Sequence, residues 1–555
     1  MYDLAWMQPN CFRKTRFIDE AEREINKPIT TILMAQSIRF PGQTNLYTLF
    51  TSCFPEDTSR TFIETPTGQQ WSYGDLERET GRFANALGTL GLRKGERIAV
   101  SVEKSPEALF LYLACLRAGI IYLPLNTAYQ LSEIDYFLSD AQPKVVVCRP
   151  EALASISELA ARHEIGQVLT LSEEGTGTLI RMSRAVVGEG SMDSVFNTVP
   201  CEKDDIAAVL YTSGTTGRPK GAMLTHGNLA ANALALREAW RWTQSDVLLH
   251  TLPLFHVHGL FVACHGALLS GAKMFLLPKF DVESVLAYLP RSTVFMGVPT
   301  YYSRLLAEQE FSAAVCGSMR LFISGSAPLS ESAFHAFRDC TGHTILERYG
   351  MTETLMNTSN PYDGHRKPGS IGPALPGVGV RVVNKTGAEE VGEIQIKGPN
   401  VFKGYWRLPE KTAQEFTSDG WFRTGDLGTI DQDGYLFIVG RGKDLIITGG
   451  YNVYPREVER ALDSLDGIQE SAVIGVPHAD YGEIVIAVVI REPNRQQKGN
   501  TVTEEGLIST LKQTIANYKV PKRVLFVEDF PRNAMGKVQK NVLRERYTAD
   551  EVLST

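Results

Sequence analysis

Two hydrophobic patterns alternate along the first two thirds of the chain. Residues 73–90 carry apolar side chains at helical spacing, and 97–102 follow as a short apolar run of strand length. Residues 107–118 read as a second helix and 144–148 as a buried strand. The alternation resumes at 206–211, with further strands near 247–252, 273–277 and 320–324. Strands separated by helices of this length predict parallel sheets, so the fold class is α/β. Residues 175–200 are polar and rich in Gly and Ser, and predict a surface connection.

The texture changes from about residue 369. Short strand-like pieces at 378–383, 392–397 and 435–439 are separated by Gly, Pro and Asp turns, which predicts a small β-rich subdomain. After Gly440-Arg441-Gly442-Lys443-Asp444 comes a compact helix, strand and helix pattern through 545, the size of a small domain. Single cores stop growing at roughly 250–300 residues, so more than one domain is expected. The division is an N-terminal extension over 1–44, whose order the sequence leaves open, then a large domain over 45–442. That domain holds two α/β subdomains plus the β-rich one, and a small α+β domain follows over 443–555.

Composition narrows the function classes. With 43% hydrophobic and 21% charged residues the chain is of ordinary globular type, and its net charge of −7 argues against a nucleic-acid binder. Eight cysteines are scattered with no Cys-x-x-Cys pair, which fits reduced thiols and gives no zinc signal. No apolar run approaches the ~18 residues of a membrane span; the regions 108–125 and 260–278 are broken by Arg117, His265 and Lys273. Arg13, Lys14 and Arg16 are followed at once by Asp19, Glu20, Glu22 and Glu24, so a mitochondrial address has weak support. A cytoplasmic monomer or homodimer is the expectation.

The chemistry concentrates in a few motifs. Residues 211–221 hold Thr212, Ser213, Gly214, Thr215, Thr216, Gly217 and Lys220, a run of hydroxyls, glycines and one cation that can clamp a polyphosphate. It is not a Walker A loop, because Gly221 and not Ser or Thr follows Lys220. In Arg348-Tyr-Gly-Met-Thr-Glu-Thr354, Tyr349 can stack on a purine, Thr352 can reach a phosphate and Glu353 can hold Mg²⁺. Asp426 can accept from both hydroxyls of a ribose, and Arg441 offers a planar donor fork to the same ribose or the phosphate. Lys537 follows a Met-Gly turn in a late loop, where an ammonium can bridge an attacking carboxylate and an α-phosphate. Lys540 reads as surface charge.

These motifs, in this order, resemble the adenylate-forming superfamily of acyl-CoA synthetases, adenylation domains and luciferases, over roughly residues 45–545. The resemblance implies cleavage of ATP to AMP and pyrophosphate while a carboxylate is activated, with Mg²⁺, ATP and coenzyme A as partners. It places the adenine against Ser326, Ala327 and Pro328 and beside Tyr349 and Gly350. It makes Lys443 the hinge, and it assigns the pantetheine arm of coenzyme A to Gly449 and Gly450 in a loop that swings in for the second step.

The acid is the open question. His258, Arg304 in the segment 298–306, and the stretch 351–364 beginning at Met351 resemble malonyl-CoA synthetases in particular. A dicarboxylate needs a cation for its second carboxylate, because an unpaired buried carboxylate is costly. The expectation is malonate or methylmalonate, with Arg304 and His258 on the distal carboxylate. The alternatives are a short- or medium-chain or aryl carboxylate-CoA ligase, and a nucleotide-binding protein without catalysis.

Overall fold

Four sheets organise the residues described by the computed structural model, which are 31–34, 45–187, 195–212, 219–386, 390–448, 451–478, 481–492, 502–533 and 535–547. The first sheet has seven strands, in which Arg97–Ser101 lies between the central strand Ile121–Pro124 and Val145–Cys148, these three parallel. The second has eight strands. Val247–His250, Lys273–Leu276, Val294–Gly297, Leu321–Ser324 and Leu346–Met351 run parallel through it. Helices between these strands make the α/β pattern expected from the alternation.

The helix Pro106–Ala118 shows why the two sheets stay together. Ser105 caps it by accepting from Ala108 N–H, Pro106 opens it, and Gly119 ends it in the left-handed conformation. All its residues except Glu107 are buried, as expected for a helix apolar on every side. Arg117, the charge that interrupts this apolar region, is held through its two terminal nitrogens, while its Nε has no hydrogen-bond partner among the described residues. Its guanidinium donates to Glu77 O at 2.7 Å, Thr80 Oγ1 at 3.0 Å and Phe196 O at 2.9 Å.

Three features were not foreseen from the sequence. The helix Thr178–Val187 falls inside the supposed surface connection, because Leu179, Ile180 and Ser183 line up on a buried face against the helix Tyr73–Thr89. Within the N-terminal extension, Thr31–Met34 pairs antiparallel with Gly379–Thr386 and adds an edge strand to the β-rich sheet. That sheet also contains Phe422–Ile430, a nine-residue strand whose two glycines obscured it.

From Ile446 onward the chain builds its own five-stranded sheet, covered by the helices Pro455–Asp463, Glu504–Thr514 and Lys540–Arg546. Its apolar side chains form two clusters of their own. Met535 is the exception, since it is buried in the core of the large domain.

Candidate active site

The phosphate-loop segment is fixed at its two stems. Thr212 and Lys220 are partners across the antiparallel pair Ile206–Thr212 and Lys220–Thr225. Both stems are tied to the helix Leu131–Ala141: Tyr136 OH donates to Pro219 O at 2.8 Å, and Tyr211 OH to Asp140 Oδ2. Ser213, Gly214, Thr215, Thr216 and Gly217 lie outside the described residues.

Three of the expected residues meet around Tyr405, a residue for which sequence analysis found no role. Its hydroxyl donates to Glu353 Oε1 at 3.0 Å, its ring centre lies 4.1 Å from the Lys220 ammonium, and Thr212 Oγ1 donates to the same Glu353 oxygen at 3.3 Å. Burial raises the Glu353 pKa, opposed by the Tyr405 hydroxyl and the charges of Lys220 and Arg441. A buried carboxylate beside a hydroxyl is a suitable donor set for Mg²⁺, which takes one or two carboxylates and fills its remaining positions with phosphate oxygens and water. Among the described residues there is no group of three His, Cys, Asp or Glu that could hold a metal ion. Thr352 precedes Glu353, half-buried at the same turn.

The nucleoside end is built by strand pairing. Asp426 and Arg441 are direct partners between Phe422–Ile430 and Leu436–Arg441, so their spacing is that of a hairpin. Arg441 Nε lies 2.9 Å from Asp426 Oδ1, and the Asp426 charge raises the Arg441 pKa. Tyr349 OH donates to the other Asp426 oxygen, and Thr424 Oγ1 accepts from Asp426 N–H at 3.0 Å. Tyr349 and Asp426 are thus one unit, buried together. Ser326 sits in the turn after Leu321–Ser324 with φ +70°, a strained position for a residue with a Cβ. Ala327 beside it is half-buried and Pro328 exposed, and Gly350 and Met351 are half-buried at the end of Leu346–Met351. Glu347 on the same strand was also missed. It accepts from Leu329 N–H at 3.4 Å, its Oε1 has no partner, and burial lifts its pKa to about 7.

Lys537 is delivered by a tight loop. Asn533 Oδ1 accepts from Met535 N–H and Lys537 N–H at 3.0 Å, and Asn533 N–H donates to Lys537 O at 3.0 Å. Gly536 turns the loop with φ +72°, and a Cβ there would stand 3.0 Å from Thr300 Oγ1. The loop of the small domain therefore rests on the start of the helix Pro299–Leu306 in the large one. The Lys537 side chain is solvent-accessible yet surrounded by protein. That enclosure and the Arg441 charge lower its pKa to about 8, while Asp426 and Asp444 pull it upward. Lys540 is not surface charge, since its ammonium lies 2.5 Å from the buried Glu459 carboxylate. Lys443 is exposed in the turn Gly442–Asp444, next to an Asp444–Arg544 ion pair of 2.7 Å. Gly449 and Gly450 lie outside the described residues.

The acyl-pocket candidates separate. His258 is fully buried at the head of the wide π-helical turn His258–Cys264, with Nδ1 3.4 Å from Ser326 Oγ and Nε2 without a partner. Burial, then the charges of Arg348 and His256, push its pKa well below the usual range, so it is a neutral imidazole. Arg304 does not join it. That residue is exposed on Pro299–Leu306, because the helix turns Tyr302 and Leu305 inward and leaves position 304 facing solvent. The buried cation near His258 is Arg348, whose Nε and Nη2 have no hydrogen-bond partner. Its guanidinium lies against Gly325, where a Cβ would come 2.4 Å from Cζ. Burial lowers its pKa to about 9, which leaves it charged at neutral pH.

A fold of two α/β sheets and a β-rich sheet, with a small domain carrying Lys537 against it, defines a nucleotide-activating enzyme. The chain belongs to the AMP-binding enzyme family, which it matches over residues 52–406, with the family's C-terminal domain matched over 457–537. The ATP-bound MatB structure from Rhodopseudomonas palustris is similar at 52% identity and TM-score 0.87, over 92% of this chain and 100% of that one. The malonate–CoA ligase of Arabidopsis thaliana is 36% identical over 525 residues, 86% of this chain and 85% of that protein. A feruloyl-CoA synthase of Amycolatopsis is 36% identical over 491 residues, 86% of this chain and 94% of that protein. Among the described residues no helix is long and apolar enough to cross a membrane.

Proposed function

We propose that this protein is an AMP-forming carboxylate–CoA ligase that activates malonate. The observation that carries the choice of acid is the Arg348 guanidinium, buried near His258 with two donor atoms unpartnered. A buried cation without a counter-charge is disfavoured by several kcal/mol, and the distal carboxylate of a short dicarboxylate supplies that counter-charge. The malonate–CoA ligase of Arabidopsis supports this reading. The feruloyl-CoA synthase stands at the same identity, so the pocket and not overall similarity has to decide the acid.

The following roles belong to this reading. Lys220 and the loop before it hold the β- and γ-phosphates, Tyr349 faces the adenine, and Asp426 with Arg441 takes the ribose hydroxyls. Thr352 donates to the α-phosphate. Glu353, together with phosphate oxygens, would hold Mg²⁺, which would supply positive charge against the triphosphate. The proximal carboxylate of malonate attacks the α-phosphorus and pyrophosphate leaves, with the Lys537 ammonium between the two anions. The small domain then turns about Lys443, withdrawing Lys537 and bringing Gly449 and Gly450 forward. The thiolate of coenzyme A attacks the acyl carbonyl, and AMP departs with its electron pair. No side-chain nucleophile is used.

Replacing each arginine separately tests the assignment. Arg348→Met lowers kcat/KM for malonate by at least about a hundredfold, the loss of a buried ion-pair partner. The same change alters butyrate turnover and the KM for ATP by only a few fold. Arg304→Met has the smaller effect on malonate. A larger loss with Arg304→Met would return the distal carboxylate to the exposed face of Pro299–Leu306.

A further inference from the structure

The loop that carries Lys537 is tied down at both ends by ion pairs. Arg532 and Val538 pair across it, and Gln539 N–H donates to Pro531 O at 2.8 Å, so the loop is closed at its base. At the first end Arg532 holds the Glu470 carboxylate with both terminal nitrogens, at 2.5 and 3.2 Å. The same guanidinium donates at 3.0 Å to Gly536 O, the carbonyl just before Lys537. At the second end the Lys540 ammonium lies 2.5 Å from Glu459 Oε1, which also accepts from Val473 N–H at 2.9 Å. Glu470 and Val473 belong to the strand Ile468–His478, and Glu459 to the helix Pro455–Asp463.

These pairs are better suited to fixing a geometry than to stabilising the fold. Glu459 is buried, and burial pushes its carboxyl pKa up. The charges of Lys540 and Arg456 outweigh that and hold it below the usual carboxylate range, so it is ionised at neutral pH. A buried ion pair gains little over apolar side chains of the same volume, because desolvation offsets the attraction. A two-pronged arginine–carboxylate contact sets an orientation as well as a distance.

We propose that Glu459 and Glu470 are positioning residues for Lys537, which hold both ends of its loop through Lys540 and Arg532 and lock it to the helix Pro455–Asp463. The proposal rests on the ligase reading above, in which Lys537 serves the first half-reaction. Its consequence is mechanical. Met535, in the same loop, is seated in the core of the large domain, whereas both acids belong to the small one. The loop thus has anchors in both domains, and the ion pairs decide which one it follows. The helix that carries Glu459 comes after the strand Tyr451–Val453, part of the segment assigned to the second step. With the ion pairs intact, one rotation withdraws Lys537 and advances that segment together.

The protonation of Lys537 reports whether its loop has moved. Enclosure by protein, then the Arg441 charge, lowers its pKa to about 8; Lys443 adds to this, and Asp426 and Asp444 oppose it. A loop released at its ends takes the lysine out of those surroundings. In the intact chain, Lys540→Met and Arg532→Met should each move the Lys537 pKa from about 8 toward the ordinary lysine value of about 10.4. Labelling with acetic anhydride at graded pH, read at Lys537 by mass spectrometry, measures this without any substrate. Malonate-dependent exchange of pyrophosphate into ATP should lose at least about tenfold in kcat, with the KM for ATP within about twofold. Conversion of supplied malonyl-adenylate with coenzyme A should stay within about twofold. Arg456, 3.6 Å from Glu459, leaves that buried carboxylate a cation in Lys540→Met, and retained thioester formation reports that each variant is folded. An unmoved labelling profile in both variants overturns the proposal. Equal loss in the two half-reactions overturns it too, because the acids would then support the small domain as a whole. Absence of exchange in the unaltered protein counts against the ligase reading alone, since the labelling profile decides the position of Lys537 by itself.

Discussion

Arg348 keeps its charge in a place where charge is disfavoured, and that makes its energetic role measurable without any substrate. If the guanidinium is held for a ligand, the ligand-free fold carries its desolvation penalty uncompensated. Arg348→Met should then leave the melting temperature of the ligand-free protein unchanged or raised, while malonate no longer stabilises it. A lowered melting temperature would make Arg348 a structural ion with partners in the core. Lys537 makes a second residue-scale prediction. Its pKa of about 8 lies below that of a free lysine, so it is protonated below pH 8 and neutral above it. In the proposed reaction the ammonium is the active form, so kcat/KM for adenylation should fall as one proton is lost above about pH 8. The corresponding limb for kcat should lie higher, since bound phosphates favour the charged form. Lys537→Ala should abolish malonate-dependent pyrophosphate release with ATP binding retained, as read by calorimetry. The turn that carries Lys537 was legible from its Met-Gly pair. Arg348 stood in a motif whose neighbours drew the attention, and nothing in its spacing told that it would be buried without a partner.

Elements explain why these side chains meet. Asp426 and Arg441 face each other because a hairpin sets them opposite, and Tyr349 joins them from a different sheet. The sequence supplied the residues of this group, while the hairpin was hidden because Gly425 and Gly428 interrupt the alternation of Phe422–Ile430. The helix Thr178–Val187 was hidden for the opposite reason, a short buried face inside a polar stretch. The Lys537 loop depends on its turn. Gly536→Ala places a Cβ at positive φ and tight against Thr300, so the loop must shift. Adenylation should fall by at least about tenfold, in line with a misplaced catalytic group. Conversion of supplied malonyl-adenylate with coenzyme A should be nearly unaffected, and equal loss in both steps would show that the change damages the small domain generally.

At the scale of the molecule, the proposed reaction asks one chain to present Lys537 for the first step and the 448–452 segment for the second. The alternation of strands and helices, and the change of texture after residue 369, made this multi-sheet plan readable from the sequence. The seating of Met535 in the large domain's core was not readable, because a lone apolar residue in a polar loop carries no address. Lys443→Pro fixes φ in the linking turn and should restrict rotation. Pyrophosphate exchange should survive in this variant while thioester formation is lost; loss of neither would place the pivot elsewhere. The central claim is the acid, and the most direct measurement is coenzyme A thioester and AMP formation with malonate, methylmalonate, butyrate, octanoate and ferulate under equal conditions. The account predicts kcat/KM for malonate or methylmalonate at least about a hundredfold above every monocarboxylate, as expected when a site holds a buried charged partner that the analogue leaves unpaired. Equal or better turnover of butyrate, octanoate or ferulate would contradict it.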